Sequence, residues 1–250
     1  EPYRRQRQMC IRDSNKIAEA YEPYLGLIRQ MFHKYCSGTL EEFMEECDVY
    51  KLQRPVFESY FEKGFCERTE QILIDEVEYE QERMRNSIVT MLQKLSEIRP
   101  VVIVLNRFQL ASKSTMQLSN SLLQVKNKNI GIVLGVNDVQ SIPEFAHEEW
   151  DAICESMDDR NMVYHIGNAG RNMEPDVMDY YSDYESDDGY RKLNNLVYFL
   201  DFDQADHHLS KIERRIKFDN FTISEKKHYQ LLLLQIMVSV LQRDIAKALE

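Results

Sequence analysis

The chain has 250 residues, of which 43% are hydrophobic and 29% are charged, a composition typical of a folded globular protein rather than a disordered one. Its formal net charge of -11 argues against the basic face that a nucleic-acid partner requires. No apolar run approaches the ~20 residues of a membrane span, and no secretory signal opens the chain, so neither a nucleic-acid nor a membrane partner is expected.

The cysteines indicate the cellular compartment of the protein, and the two ends of the chain indicate whether it is a fragment. Five cysteines, an odd number without a CxxC spacing, are typical of reduced thiols in a cytoplasmic protein. The chain begins with Glu1 rather than methionine and stops at Glu250 without a helix-terminating signal, so we expect a fragment of a longer protein.

Residues 1–14 (EPYRRQRQMCIRDS) are basic, whereas the rest of the chain is acidic. Within them, residues 9–14 resemble a translated adapter of the kind used in sequencing-library preparation. We therefore interpret residues 1–14 as a non-native segment outside the fold. A natural basic arm is the alternative.

Four helices are predicted before the first strand. Residues 15–35 carry apolar side chains at helical spacing. Thr39 and Glu42 have the spacing of a capping box and predict a second, short helix. Pro55 is suited to the first turn of a third helix, and residues 67–98 predict one long amphipathic helix whose mixed charges face solvent.

An α/β segment follows these helices. Residues 101–105 (VVIVL) are apolar and mostly β-branched, which favours a strand buried on both faces. A helix over 112–124, a second buried strand over 130–136, a helix over 143–157 and a third strand over 162–166 continue the alternation. This order predicts parallel crossover units, that is, part of a parallel sheet with flanking helices.

An acidic linker rich in tyrosine is predicted over residues 173–189. Asp183, Glu185 and Asp187 have the spacing of the first three ligands of an EF-hand calcium loop. Asp188 stands where that loop requires glycine, and no glutamate stands at its last ligand position, so a solvated connector is favoured over a calcium site.

Residues 190–250 predict helices only. Helices of this size can open a helical-repeat solenoid or form an ordinary helical subdomain, and a single pair does not decide between them. No zinc-ligand spacing and no nucleophile motif of the GxSxG type occurs anywhere in the chain.

The first strand and the helix after it carry a family resemblance. Residues 101–123 (VVIVLNRFQLASKSTMQLSNSLL) resemble the Walker-B segment of bacterial signalling ATPases of the STAND class and related AAA domains that precede tetratricopeptide repeats. Gln109, Ala111 and the following helix match that pattern. Asn106 and Arg107 stand where the family has acidic residues.

Two other stretches extend the resemblance. Residues 130–138 (IGIVLGVND) are similar to a sensor-1 strand, in which the position of Asn137 faces the γ-phosphate. Residues 21–24 (YEPY) resemble the segment before an upstream helix of these domains. The resemblance implies the C-terminal part of an ATPase domain over 15–172 and the start of tetratricopeptide-like repeats over 190–250.

The resemblance also implies cofactors and an output. The complete parent would bind ATP or ADP with Mg²⁺, Asn106 would stand at the metal position, and similar proteins carry diguanylate cyclase domains. Asn106 has no negative charge and would hold Mg²⁺ poorly. No glycine of the 250 residues is followed by lysine, so the phosphate-binding loop is not present in this chain.

Three functions are compatible with these patterns. The first is a nucleotide-switch module of a cytoplasmic signalling protein, in which hydrolysis is slow or absent. The second is a degenerate, non-catalytic scaffold whose helical region binds protein partners, with homo-oligomers also compatible. The third is an unrelated α/β enzyme whose site lies in sequence outside the chain.

Overall fold

The computed structural model describes most of the chain, namely residues 19–66, 77–125, 127–136, 142, 144–158, 187–218 and 222–242. This part of the chain is mostly helical and contains one two-stranded parallel sheet with flanking helices. None of its helices is long and apolar enough to cross a membrane.

Three short helices open the described part, namely α1 (Tyr24–Tyr35), α2 (Leu40–Glu46) and α3 (Arg54–Lys63). The predicted capping box is confirmed, because the Thr39 hydroxyl accepts from the Glu42 N–H at 3.2 Å and the Glu42 carboxylate accepts from the Thr39 N–H at 2.9 Å. A proline lies in the first turn of α3, also as predicted.

The long fourth helix, α4, spans Val77–Ile98. Its buried stripe follows helical spacing and includes Met84, Ile88, Met91, Leu92 and Leu95. The predicted amphipathic helix is therefore confirmed over this range, and its first ten predicted residues, 67–76, lie outside the described part.

The α/β segment consists of β1 (Val101–Asn106), α5 (Lys113–Gln124), β2 (Ile130–Gly135) and α6 (His147–Asp158). The two strands run parallel, and their pairing begins at Val101 opposite Ile130 and ends at Asn106 opposite Gly135. The prediction of a parallel crossover unit is confirmed for this pair. The predicted third strand, over residues 162–166, lies outside the described residues.

The prediction that both strands are buried on both faces is wrong. Val101, Ile103 and Leu105 of β1 are buried, but Val102 on the opposite face is 45% exposed. No residue of β2 is buried, and Val133 is 52% exposed. An apolar run shows that both faces tolerate burial, but only the surrounding elements decide whether the second face is covered.

Three helices form the C-terminal part, namely α7 (Asp187–Tyr198), α8 (Phe202–Phe218) and α9 (Glu225–Leu241). The prediction of helices only is confirmed for the described residues after 187. The first turn of α7 takes in the last three residues of the predicted acidic linker, and the rest of that linker lies outside the described part.

A buried corner between α7 and α8 joins the C-terminal helices to the rest of the molecule. The Phe199 side chain is fully buried, and its ring packs edge-on against Tyr21, Phe57 and Tyr60 at centroid distances of 6.2, 5.8 and 5.5 Å. The described helices before and after the sheet therefore contribute to one hydrophobic core. The domain boundaries drawn from the sequence stay a prediction.

Candidate functional site

The site predicted from the sequence lies at the carboxyl end of β1. Asn106 ends the strand, is half-buried, and extends its side-chain oxygen over Gly135, where an added Cβ would lie 3.2 Å from it. Arg107 follows in the left-handed region with φ 57°, a conformation that few residues other than glycine adopt. This sharp turn directs the chain away from the sheet into the short 3-10 helix Phe108–Leu110.

Gln109, which matches the family pattern, points into the protein and is only 1% exposed. Its neighbour Phe108 is fully buried and packs against Trp150 of α6, with 6.3 Å between the ring centroids. Phe108 therefore serves the packing of this turn, and the Gln109 side chain is not exposed at its surface. Asn137, the other residue expected here, lies outside the described residues.

A carboxylate of the protein itself, that of Asp201, binds a backbone N–H group at the start of α5. Ser112 caps the helix by accepting from the Thr115 N–H at 3.2 Å, and the Ser114 N–H donates to the Asp201 carboxylate at 3.1 Å. Burial raises the pKa of Asp201 above its usual range, because the charged form has lost its water. One of the free N–H groups at the start of α5 is thus already bound by a buried acidic side chain.

Lys113, at the first position of α5, is also engaged. Its Nζ donates to Asp203 at 2.6 Å and lies 3.6 Å from a carboxylate oxygen of Glu149. Burial lowers the pKa of Lys113, but the hydrogen bond to Asp203 and its negative charge outweigh this and raise the pKa overall. The lysine therefore ties α5 to both α6 and α8.

The YEPY segment that the sequence singled out, residues 21–24, lies against the same helix. The Tyr21 N–H donates to the Ser114 hydroxyl at 3.2 Å, and the Tyr24 hydroxyl shares a hydrogen bond with Ser119 at 2.7 Å. Hydroxyl groups on the buried side of α5 thus satisfy polar groups at the start of α1. This junction is structural in the described residues.

Glu22 is the most perturbed carboxyl group of this junction. It accepts a hydrogen bond from the Tyr60 hydroxyl. Burial, and secondarily the negative charge of Glu19, raise the pKa of Glu22 to about 7. The group therefore changes its charge close to neutral pH.

The raised pKa predicts how stability depends on pH. In an unfolded chain a glutamate titrates near 4.3, so the folded state holds the Glu22 proton more tightly. Its contribution to stability is complete below about pH 4 and falls by up to about 3 kcal/mol as the pH rises to about 7. We expect Glu22→Gln to remove this slope and to make the protein more stable than wild type at pH 8.

The measurement is the free energy of unfolding in urea between pH 4.5 and 8. Glu62→Gln, which changes an exposed glutamate on α3, is the matched control and should keep the wild-type profile. A Glu22→Gln profile parallel to that of the wild type would show that the carboxyl group is solvated.

The described strand end does not fit the Mg²⁺–nucleotide site that the resemblance implies. Asn106 and Arg107 supply no carboxylate for a metal, and the α5 amide of Ser114 is bound by Asp201. Within the described ranges, no three His, Cys, Asp or Glu side chains come together to hold a metal ion. No known protein family, curated protein or solved structure matches the chain.

A second surface, on α9, was not predicted from the sequence. Leu231, Leu234 and Val238 pack one side of this helix into the core. The opposite side exposes large apolar residues over three turns, namely Tyr229, Leu232, Leu233, Ile236 and Val240. Residues 228–241 contain no Asp, Glu, Lys or Arg. The five exposed residues are called the α9 face below.

Proposed function

We propose that the chain is a non-catalytic scaffold module of a cytoplasmic signalling protein, and that its helical part binds a protein partner through the α9 face. The observation that carries the proposal is the exposure of this face. Tyr229, Ile236 and Val240 are 71%, 46% and 56% exposed. Singly scattered apolar residues on a surface are ordinary, whereas a contiguous apolar stripe marks an interaction site.

The dimensions of the α9 face suit a helical partner. From residue 229 to residue 240 a helix rises about 16 Å, which is about three turns. Partners that recognise such a surface lay an amphipathic helix along it and anchor every third or fourth side chain. Because the face carries no charge of its own, the affinity of the complex would come from apolar burial.

The strand end supports a scaffold rather than a catalyst. Gln109 is buried, and the groups at the start of α5 are bound by Asp201 and by the 21–24 segment. A catalytic or switch site needs groups that can reach a ligand and change partners. Here the groups at the start of α5 instead join that helix to the 21–24 segment and to the corner between α7 and α8.

The proposal is tested by photo-cross-linking in the natural host. A photoreactive phenylalanine analogue is placed at Ile236 in the α9 face and, as a control, at Phe218, which is 79% exposed at the end of α8. We expect a defined protein adduct from position 236 and none from position 218. No adduct from position 236, or the same products from both positions, would contradict the proposal.

A nucleotide switch is the second candidate function, favoured by the parallel strand pair. β1 and β2 end side by side, with Asn106 opposite Gly135, as the polar ends of a nucleotide site would. In this reading Asn106 would stand at the Mg²⁺ position and Asn137 at that of the γ-phosphate. Phosphate binding would depend on a loop that these 250 residues do not contain.

Placing acidic residues at positions 106 and 107, as in the ATPase family, distinguishes the scaffold from the nucleotide switch. We expect Asn106→Asp/Arg107→Asp, introduced into the complete gene product, to bring no gain of ATP hydrolysis over the wild type. Aspartate is chosen at 107 because it tolerates the left-handed backbone there. The measurement is phosphate release with Mg²⁺, and a tenfold or larger gain would favour the switch.

A further inference from the structure

A groove beside the α9 face carries a further inference about the partner. The groove lies between α7 and α9, has a volume of about 350 Å³, and is floored by apolar side chains that include Tyr198, Leu234 and Met237. Leu233, which is 37% exposed, belongs both to the groove and to the α9 face. The apolar surface is therefore continuous from the groove along the helix.

The rim of this groove carries two cations, Arg191 and Lys226, that form no ion pair within the described residues, unlike the neighbouring lysines. Lys192 pairs with Asp188 at 2.8 Å, and Lys227 lies 4.0 Å from Asp187, which also lines the groove. Arg191 and Lys226 are exposed on the rim, and no carboxylate of the described ranges forms an ion pair with either of them.

Arg191 is also held in place. Its guanidinium lies over the ring of Phe65, with 4.5 Å to the centroid, which keeps the charge at the edge of the groove. A fixed guanidinium loses less entropy on binding a carboxylate than a mobile lysine does. Lys226 is a second exposed cation at this edge, while the carboxylate of Asp187, which also lines the groove, lies 4.0 Å from Lys227. In a protein with net charge -11, a groove edge with more cations than carboxylates is an exception to the overall field.

We propose that the groove and the α9 face together bind an acidic amphipathic helix of another protein. This inference rests on the proposed scaffold function and names the chemistry of the partner. Apolar side chains of that helix would fill the groove and follow the α9 face, and its carboxylates would meet Arg191 and Lys226. Such charge pairing selects the partner and speeds its association more than it adds affinity.

The extent and the charge of the surface favour an acidic helix over a small anion or a second copy of the chain. The apolar surface runs from Leu233 beyond the groove to Val240, farther than a small anion would cover. Two copies joined α9 to α9 would offer Arg191 and Lys226 a single acidic residue of that helix, Glu225 in its first turn, and none between 228 and 241. An acidic helix satisfies both the apolar and the charged parts of the surface.

The test uses the full chain and a fluorescent 18-residue amphipathic peptide with leucine on one face and glutamate on the other. Two further peptides carry glutamine or lysine in place of glutamate. By fluorescence anisotropy we expect the glutamate peptide to bind at least tenfold more tightly than the lysine peptide at low salt. The difference should shrink in 0.5 M salt, because ions screen exposed charges.

Charge reversal at the rim completes the test. Arg191→Glu/Lys226→Glu should reverse the preference so that the lysine peptide binds more tightly, with an unchanged circular dichroism spectrum. Lys51→Glu/Arg214→Glu alters two exposed cations that do not line the groove and should leave the preference as in the wild type.

The outcomes separate this inference from the scaffold proposal. If all three peptides bind equally, and Leu233→Glu abolishes their binding, the apolar docking face stands and the acidic partner is wrong. If no peptide binds, or if sedimentation shows a dimer that Arg191→Glu/Lys226→Glu dissociates, the inference is overturned. The cross-link from position 236 then decides the scaffold proposal separately.

Discussion

Phe199→Ala is expected to lower the free energy of unfolding by about 3–5 kcal/mol, the usual cost of removing a fully buried aromatic ring. The ring fills the corner between α7 and α8 and contacts Tyr21, Phe57 and Tyr60. The loss combines the transfer of the ring with the cavity that three aromatic neighbours, themselves fixed by packing, would leave. Helices on both sides of the sheet should therefore be destabilised together.

Urea unfolding followed by far-UV circular dichroism measures this effect. Phe218→Ala is the control, because that side chain is 79% exposed and its removal should change stability by less than about 0.5 kcal/mol. If Phe199→Ala does not fold, Phe199→Leu should show a smaller loss in the same direction. A loss below about 1 kcal/mol for the alanine variant would show that the corner is not part of the core.

Asp201→Ala is expected to cost about 2–3 kcal/mol, because it leaves the buried N–H of Ser114 without its acceptor at the start of α5. Asp201→Asn keeps an acceptor oxygen in the same place and should cost much less. Burial raises the pKa of Asp201, so the negative charge is itself disfavoured and its loss removes little stability.

The two Asp201 variants are compared by the same unfolding measurement at pH 7. A larger loss for alanine than for asparagine would show that the hydrogen bond matters more than the charge. Equal losses would contradict this, since they would mean that the carboxylate charge itself stabilises α5. The comparison thereby tests whether the strand end is closed by the chain in the way the structure describes.

The local features of the fold were predictable because their causes are local in sequence. Thr39 and Glu42 lie three residues apart, so their spacing alone identified the start of α2. The helical periodicity of α4 and the alternation of strands and helices likewise need only neighbouring residues. The parallel pairing of β1 with β2 followed from this alternation, because a helix between two strands is typical of a parallel crossover unit.

The candidate site was less predictable because its contacts span the chain. Ser114 and Asp201 are 87 residues apart, and no local pattern indicated that a carboxylate from the α7–α8 corner would reach α5. Gln109 fits a sequence pattern, but that pattern carries no information on burial. The exposed face of the sheet, which carries Val102 and Val133, was not predicted. An apolar run fits a strand covered on both faces as well as a strand covered on one face only.

For α9, the sequence predicts an apolar helix but not which of its sides is exposed. An apolar composition on every side predicts a helix that is buried all round, and Leu231 and Leu234 are indeed buried. Leu232, Leu233 and Ile236 have the same character but remain exposed in the described part of the chain. Which side lacks a neighbour depends on tertiary packing, and that exposed side is what suggests a partner.

The nucleotide dependence of the position 236 cross-link tests the central claim most directly. The protein, carrying the photoreactive group at Ile236, is illuminated in cell extract after addition of ATP or ADP, or after enzymatic removal of both. A scaffold whose strand end is closed should give the same partner adduct, within twofold, under all three conditions. A severalfold change in yield with nucleotide, or no adduct under any condition, would contradict the account.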